Sequence, residues 1–290
     1  MPELPEVETL KRQLVKSIVG KQIKSVDILR SKSYQGDPQI LVNQKIASIH
    51  RIGKLMIINF TDEFPKLLIH LKMTGQLIYQ PTTNNSQLTA RVVGGHPTAD
   101  WINDLPSKHT RVIINLTDNS VLYFNDQRVF GWLKLVDNVN ELEKEKTNYS
   151  GLNPLLSNFN GTLLKQTLGK IKRSVKIAIL DQTKIAGLGN IYANDALYLA
   201  GIHPQTLAVN LTAKEWNKLA KSIQKVLLRG IELGGASQTN YVHLDGLGGS
   251  YQKEFLVYKQ DKSKCPKCGS EIIKIKIGGR GTFFCPKCQK

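Results

Sequence analysis

Cysteine is almost absent from this 290-residue chain: there are four, all in the last 26 residues. That excludes a disulfide framework spread through a secreted fold. No apolar run approaches the roughly 18 residues a membrane-spanning helix needs. The start, MPELPEVET, has three glutamates and no basic lead-in to an apolar stretch, so no secretory signal is expected and an intracellular, cytoplasmic protein is. Acidic residues are scarce, 23 Asp+Glu against 40 Lys+Arg, for a formal net charge of +17. An acidic, self-repelling solubiliser is therefore excluded. What remains, 41% apolar and 22% charged, suffices for a real core, and the length suits two domains.

A positive surplus of this size sets up a field of several kT, and the intracellular polyanions it attracts most are DNA and RNA. An anionic membrane surface and a merely solvated lysine face are the alternatives. Leu4, Val7, Leu10, Leu14 and Ile18 recur at helical spacing with Gly20 as a stop, so the chain opens on a helix. Short runs rich in Ile, Leu and Val follow at Lys24 to Leu29, Lys45 to His50, Leu55 to Phe60, Leu67 to Leu71, Arg111 to Leu116 and Val121 to Phe124. They predict a β-sandwich or barrel. From Pro81 to Ser107 lysine is absent and Thr, Asn, Gly and Pro cluster, which predicts a mobile surface insertion. The polar stretch DNVNELEKEKTNYSG after Val136 predicts a linker. Helices are then expected at Thr162 to Leu168, Ser174 to Asp181, Asn190 to Ala200 and Ala213 to Leu233. Thr212 with Glu215 forms a capping box for the last, and Gly234 and Gly235 close it.

The cysteines, Cys265, Cys268, Cys285 and Cys288, form two C-x2-C knuckles separated by sixteen residues. Four thiolates so spaced converge on one Zn²⁺ and leave it no open position, so the metal is structural. Paired disulfides or a redox CxxC are the competing readings. Between the knuckles EIIKIKIGGRGTFF reads as a hairpin with Arg280 at or near its tip, and residues 251–290 carry a net charge of +7. The charge favours phosphate contact over a protein-binding ribbon.

Pro2 follows Met1, and a small second residue permits removal of the initiator, which would leave a free secondary amine. Such an amine is a nucleophile, and its attack on an aldehyde-level sugar carbon gives an iminium, an electron sink. Glu3 and Glu6 beside it suit proton transfer, but they equally suit the positive end of a helix dipole.

MPELPEVET, HLKMTG at 70–75, NDQRVFG at 125–131, GLGNIYANDAL at 187–197 and the terminal GRGTFFCPKCQK together resemble the formamidopyrimidine-DNA glycosylases, over the whole chain in order. The resemblance implies an α+β multidomain protein. Its parts would be an N-terminal β-sandwich with a leading helix (1–136), a linker (137–152), a helix-two-turn-helix domain (153–245), and a lesion-loop end with a C-terminal zinc-ribbon hairpin (246–290). DNA would lie in the cleft between the halves. Carried over by position, Pro2 is similar to the Schiff-base nucleophile, Glu3 to its acid/base partner, Lys54 to the lysine of β-elimination and Arg280 to the residue of δ-elimination and phosphate binding. Met73, Arg128 and Phe130 match a wedge that fills the hole left by an everted base. His70 and Asn190 match phosphate clamps, and His109 and Lys172 further DNA contacts. Without the resemblance Lys54 would read as a strand-edge lysine, and Met73 and Phe130 as core.

The family usually has two arginines before the wedge phenylalanine; the second is Val129 here, which weakens a DNA contact at that position. Residues Gly234 to Gln252 stand where the family has its loop over the flipped base, and they fit a mobile lid. The implied activity is a monomeric, bifunctional DNA glycosylase and AP lyase of base excision repair, acting on double-stranded DNA with an oxidised purine or an abasic site. One zinc is its only cofactor, and no membrane is involved. Endonuclease VIII, which prefers oxidised pyrimidines, is the nearest rival, and a non-catalytic DNA-binding protein on the same scaffold is the other.

Overall fold

The apolar stripe at the start is a helix, α1 (Leu4–Ile18), with Leu4, Val7, Leu10, Leu14 and Ile18 buried in the computed structural model, which describes residues 2–82, 92–94, 105–236 and 249–290. Gly20 ends it with φ +88°. The strands that follow stack as two five-stranded sheets, as the alternating runs predict. One holds β1 (Ile23–Ile28), β8 (Thr110–Leu116), β9 (Val121–Asp126), β6 (Gly75–Gln80) and β7 (Val92–Gly94), in that order. The other holds β2 (Tyr34–Gln35), β10 (Trp132–Val136), β5 (Lys66–His70), β4 (Leu55–Phe60) and β3 (Ile46–Ile52). Pairing is antiparallel except for the short β2 and β10 contact. One core, filled by Leu10, Leu14, Ile58, Ile69, Leu77, Val112, Phe124 and Leu133 among others, joins α1 to both sheets.

This half departs from the sequence pattern in two places. The stretch read as a linker carries a helix, α2 (Val139–Thr147), which buries only Leu142. Charge holds it instead: Lys134 of β10 meets Glu141 at 2.9 Å and Glu145 at 2.8 Å. The stretch from Pro81 to Ser107 is not loop throughout, because Val92–Gly94 pairs with β6; the rest of that expected insertion lies mainly outside the described residues.

The helical half contains α3 (Gly161–Leu168), α4 (Val175–Ile179), α5 (Asn190–Ala200) and α6 (Ala213–Glu232). Thr212 and Glu215 form the expected capping box on α6, the Thr212 N–H donating to the Glu215 carboxylate at 2.8 Å. Gly230 of α6 lies against the Tyr192 ring, where a Cβ would sit 2.5 Å from a ring carbon, so only glycine permits this helix contact. The cysteine region closes on β11 (Ile273–Ile277) and β12 (Arg280–Phe284), the expected hairpin.

By its contacts the chain gathers into two units that cut across the four consecutive segments: Met1–Lys146 with Leu233–Ser250, and Thr147–Glu232 with Tyr251–Lys290. In the first, residues 233–236 and 249–250 meet through the Ser250 N–H on the Leu233 carbonyl at 2.9 Å. Most of the lid expected over Gly234 to Gln252, residues 237–248, lies outside the described residues. Among the described residues no helix is long and apolar enough to cross a membrane.

Candidate active site and nucleic-acid interface

In the first unit the mouth of α1 is a fixed point. Pro2 and Glu3 are buried. A reciprocal capping box satisfies the first amides: Glu6 accepts the Glu3 N–H at 2.7 Å, and the Glu3 side chain takes the N–H of Glu6. The other oxygen of Glu6 accepts the Ala236 N–H at 2.7 Å, so one carboxylate joins the N-terminal turn to the base of the 233–250 segment.

Lys54 is placed differently from a strand lysine. It occupies the second position of a two-residue turn between β3 and β4, after Gly53 at φ +57°, the conformation that a Gly-X hairpin asks for. Despite that position its side chain is buried. Near it, burial pushes His70 down to about 3, and the charges of Lys72 and Lys54 push in the same direction. His70 is thus a neutral ring at ordinary pH, with its Nδ1 accepting the Lys72 N–H at 2.9 Å. A neutral donor flanked by two ammonium groups suits a phosphate oxygen.

The wedge residues share a tip of the same unit. Met73 is 38% and Phe130 49% exposed, high for such side chains, and the Arg128 guanidinium lies 4.7 Å over the Phe130 ring. They are not core residues. Their loop is organised by a residue that the sequence does not single out, Asp126, which is fully buried. Its carboxylate accepts the N–H groups of Arg128 at 3.1 Å, Phe130 at 2.8 Å and Gly131 at 2.6 Å, together with the Thr74 hydroxyl. Val129, where the family usually has arginine, stands at φ +54°, a costly conformation for a β-branched residue that persists because its neighbours are held. D126N is therefore expected to leave at least one of these N–H groups without an acceptor and to cost about 1–3 kcal/mol in urea denaturation. Excision should fall more on a paired lesion than strand cleavage does on a preformed abasic site, where no base has to be pushed out. His109 is half-buried, and its carbonyl accepts the Asp126 N–H at 2.9 Å.

In the second unit Asn190 opens α5 after Gly189, and its side-chain amide donates to the Gly281 carbonyl at 3.1 Å. Arg280, the residue before it, is exposed at the start of β12, and Lys172 is exposed as well. Two buried groups absent from the sequence reading brace this unit, the first of them directly behind Gly281. Lys176, fully buried, donates to Thr282 Oγ1 at 2.7 Å, to the Gly281 carbonyl at 3.0 Å and to Asn194 at 3.2 Å. Asp195 accepts the Val257 N–H at 3.0 Å and the Tyr251 hydroxyl at 3.1 Å; burial pushes its carboxyl up to about 6 against those hydrogen bonds.

The four cysteine sulfurs all lie within 4.8 Å of one another, with Cys265 to Cys288 at 3.9 Å and Cys268 to Cys285 at 3.5 Å. Tetrahedral Zn–S bonds of about 2.3 Å put the sulfurs roughly 3.8 Å apart, whereas a disulfide needs about 2 Å. The cluster fits one structural zinc and not a pair of disulfides.

The geometry has a counterpart in known proteins. Residues 1–133 match the formamidopyrimidine-DNA glycosylase N-terminal domain, 150–242 its H2TH domain, and 262–290 the zinc finger found in FPG and IleRS. The chain belongs to the formamidopyrimidine-DNA glycosylase family. The Bacillus licheniformis formamidopyrimidine-DNA glycosylase is 38% identical over 297 residues, covering 100% of both chains. The Lactococcus lactis Fpg protein, in complex with DNA containing an abasic site, superposes with a TM-score of 0.85 at 33% identity over 99% of each chain. The same protein bound to DNA with an oxidised pyrimidine gives 0.83 at 33% over 100% of each. As a formamidopyrimidine-DNA glycosylase the chain is a DNA glycosylase of base excision repair, a zinc-finger protein acting on damaged DNA, and AP lyase is an activity of its family.

Proposed function

We propose that this glycosylase excises oxidised purines, 8-oxoguanine and formamidopyrimidines, from duplex DNA and then cleaves the abasic strand, with Pro2 as nucleophile. The observation that carries the reading is the first unit's own arrangement: Pro2 and Glu3 buried at the mouth of α1, Lys54 buried on its turn, and an exposed wedge. Once Met1 is removed, the Pro2 nitrogen attacks the sugar C1′, the C1′–N bond to the damaged base breaks, and the base leaves with a proton. The sugar ring then opens as the C1′–O4′ bond breaks, Glu3 supplying the proton to O4′, and the product is an iminium on Pro2. Loss of a C2′ proton expels the 3′-phosphate, a second elimination expels the 5′-phosphate, and water releases the sugar fragment. Lys54 assists departure of the 3′-phosphate in the first elimination and Arg280 that of the 5′-phosphate in the second, while His70 holds a phosphate of the everted nucleotide. In the second unit Arg280, Asn190 and Lys172 contact further phosphates, and zinc holds the finger's shape and takes no part in the chemistry.

The wedge trio favours purines over the pyrimidine preference of endonuclease VIII. Single-turnover excision from a duplex with 8-oxoguanine opposite cytosine should exceed that from an oxidised thymine opposite adenine by about tenfold or more, a margin worth about 1.4 kcal/mol. Both ends of the resulting gap should carry phosphate. The reverse preference would move the chain to the sister activity.

A further inference from the structure

An ion pair outside the reacting groups joins the two elements that carry them. Glu8 lies on α1, one turn beyond Leu4, and its side chain is only 7% exposed. One of its oxygens accepts Arg51 Nε at 2.9 Å; the other accepts Arg12 Nε at 2.9 Å and meets Lys11 Nζ at 2.9 Å. Burial alone would raise this carboxyl, but the hydrogen bonds from Arg51, Lys11 and Arg12 outweigh it and hold it at about 2. Glu8 is therefore a carboxylate at every pH at which the protein works. The side chain of Arg51, on β3, is 5% exposed and uses the other arm of its fork on the Gly53 carbonyl at 2.8 Å. Gly53 is the residue before Lys54.

We propose that Glu8 and Arg51 are positioning residues, clamping the Gly53–Lys54 turn to the helix that begins with Pro2 and Glu3 and so setting where the lysine stands relative to the amine. The proposal rests on the reading of Pro2 and Lys54 given above. A buried ion pair is weak evidence for stability, since an apolar pair of the same volume serves as well. What an apolar pair cannot supply is the second bond, to a carbonyl in a turn whose leading glycine has no side chain to pack. A guanidinium spans both acceptors in one rigid plane, and an ammonium does not. A displacement of the turn by about 1 Å is enough to cost on the order of a hundredfold in rate.

The test is R51K, which keeps the charge and loses the fork, beside R12Q, which removes the exposed partner of the same carboxylate. Each is assayed on an abasic duplex for affinity, borohydride crosslinking and single-turnover strand cleavage. R51K should bind with affinity unchanged within about twofold and cleave about a hundredfold more slowly per folded molecule, so that kcat falls while KM holds; R12Q should match the parent. R51K cleaving at the parent rate, R51K losing affinity and rate in equal proportion, or R12Q slowing cleavage as much as R51K overturns the proposal. If R51K does not fold, E8Q, which keeps the shape and removes the charge, is judged by the same results. Failure of the underlying reading looks different: the parent protein itself then gives no crosslink.

Discussion

A chain that keeps Met1 ahead of Pro2 is expected to bind an abasic duplex as tightly as the processed protein and to cleave it about a thousandfold more slowly or worse. The retained residue turns the proline nitrogen into an amide, whose lone pair is delocalised into the carbonyl and no longer attacks carbon. Nothing that touches phosphate changes: Lys54 stands on the turn between β3 and β4 and His70 at the end of β5, away in sequence from the terminus, and the second unit's contacts are untouched. The capping box uses the backbone N–H of Glu3, which the extension leaves in place. Binding measured by fluorescence anisotropy and cleavage measured under single turnover separate the two effects. Equal loss in both would mean that the extension disturbs the fold, and full cleavage would remove Pro2 from the mechanism.

Removing the metal should act on the other half of the function. Cys285 is fully buried, its N–H held by Gln289 at 2.9 Å, and Gln289 in turn donates to the Ile202 carbonyl at 2.9 Å. The finger's own apolar cluster is small: Val257, Ile272 and Phe283 with the cysteines and Tyr198. Structural zinc contributes about 10–16 kcal/mol in such peptides, as much as the whole stability of an ordinary domain. C285A is thus expected to drop zinc from one per chain to below about a tenth, and to unfold residues 262–290 by hydrogen exchange. With β12 gone, Arg280 loses its place and Asn190 and Lys176 lose the Gly281 carbonyl they both bond. Affinity for damaged duplex should fall at least about tenfold at physiological salt, with a shallower salt dependence as phosphate contacts are lost. A zinc-free chain with unchanged affinity would contradict the assigned role of the finger.

Much of the architecture was legible because its signals are local. Leu4 to Ile18, Leu55 to Phe60 and Asn190 to Ala200 coincide with α1, β4 and α5, since a buried stripe at period 3.6 or a short β-branched run states its own structure. The cysteine spacing is equally self-contained. Elements whose stability comes from elsewhere were not legible: α2 hides as a charged stretch because its partner is Lys134 on a strand. The same division runs through the site. Pro2, Glu3 and the wedge trio are visible as motifs, but Asp126, Glu8 and Lys176 look like ordinary surface charges until folding buries them, Asp126 against Thr74, Glu8 against Arg51 and Lys176 against Thr282. Lys54 reads as a strand residue because the Gly-Lys turn is only two residues long. The left-handed backbone of Val129 has no sequence signal at all, since valine is among the last residues expected there.

The central claim is that the N-terminal amine of Pro2 is the nucleophile, and borohydride reduction tests it most directly. The protein incubated with an 8-oxoguanine duplex and sodium borohydride should give a covalent protein–DNA adduct, and peptide mass mapping should place the sugar remnant on the Pro2 nitrogen. An adduct on Lys54 or another lysine, or excision with no adduct at all, would contradict it.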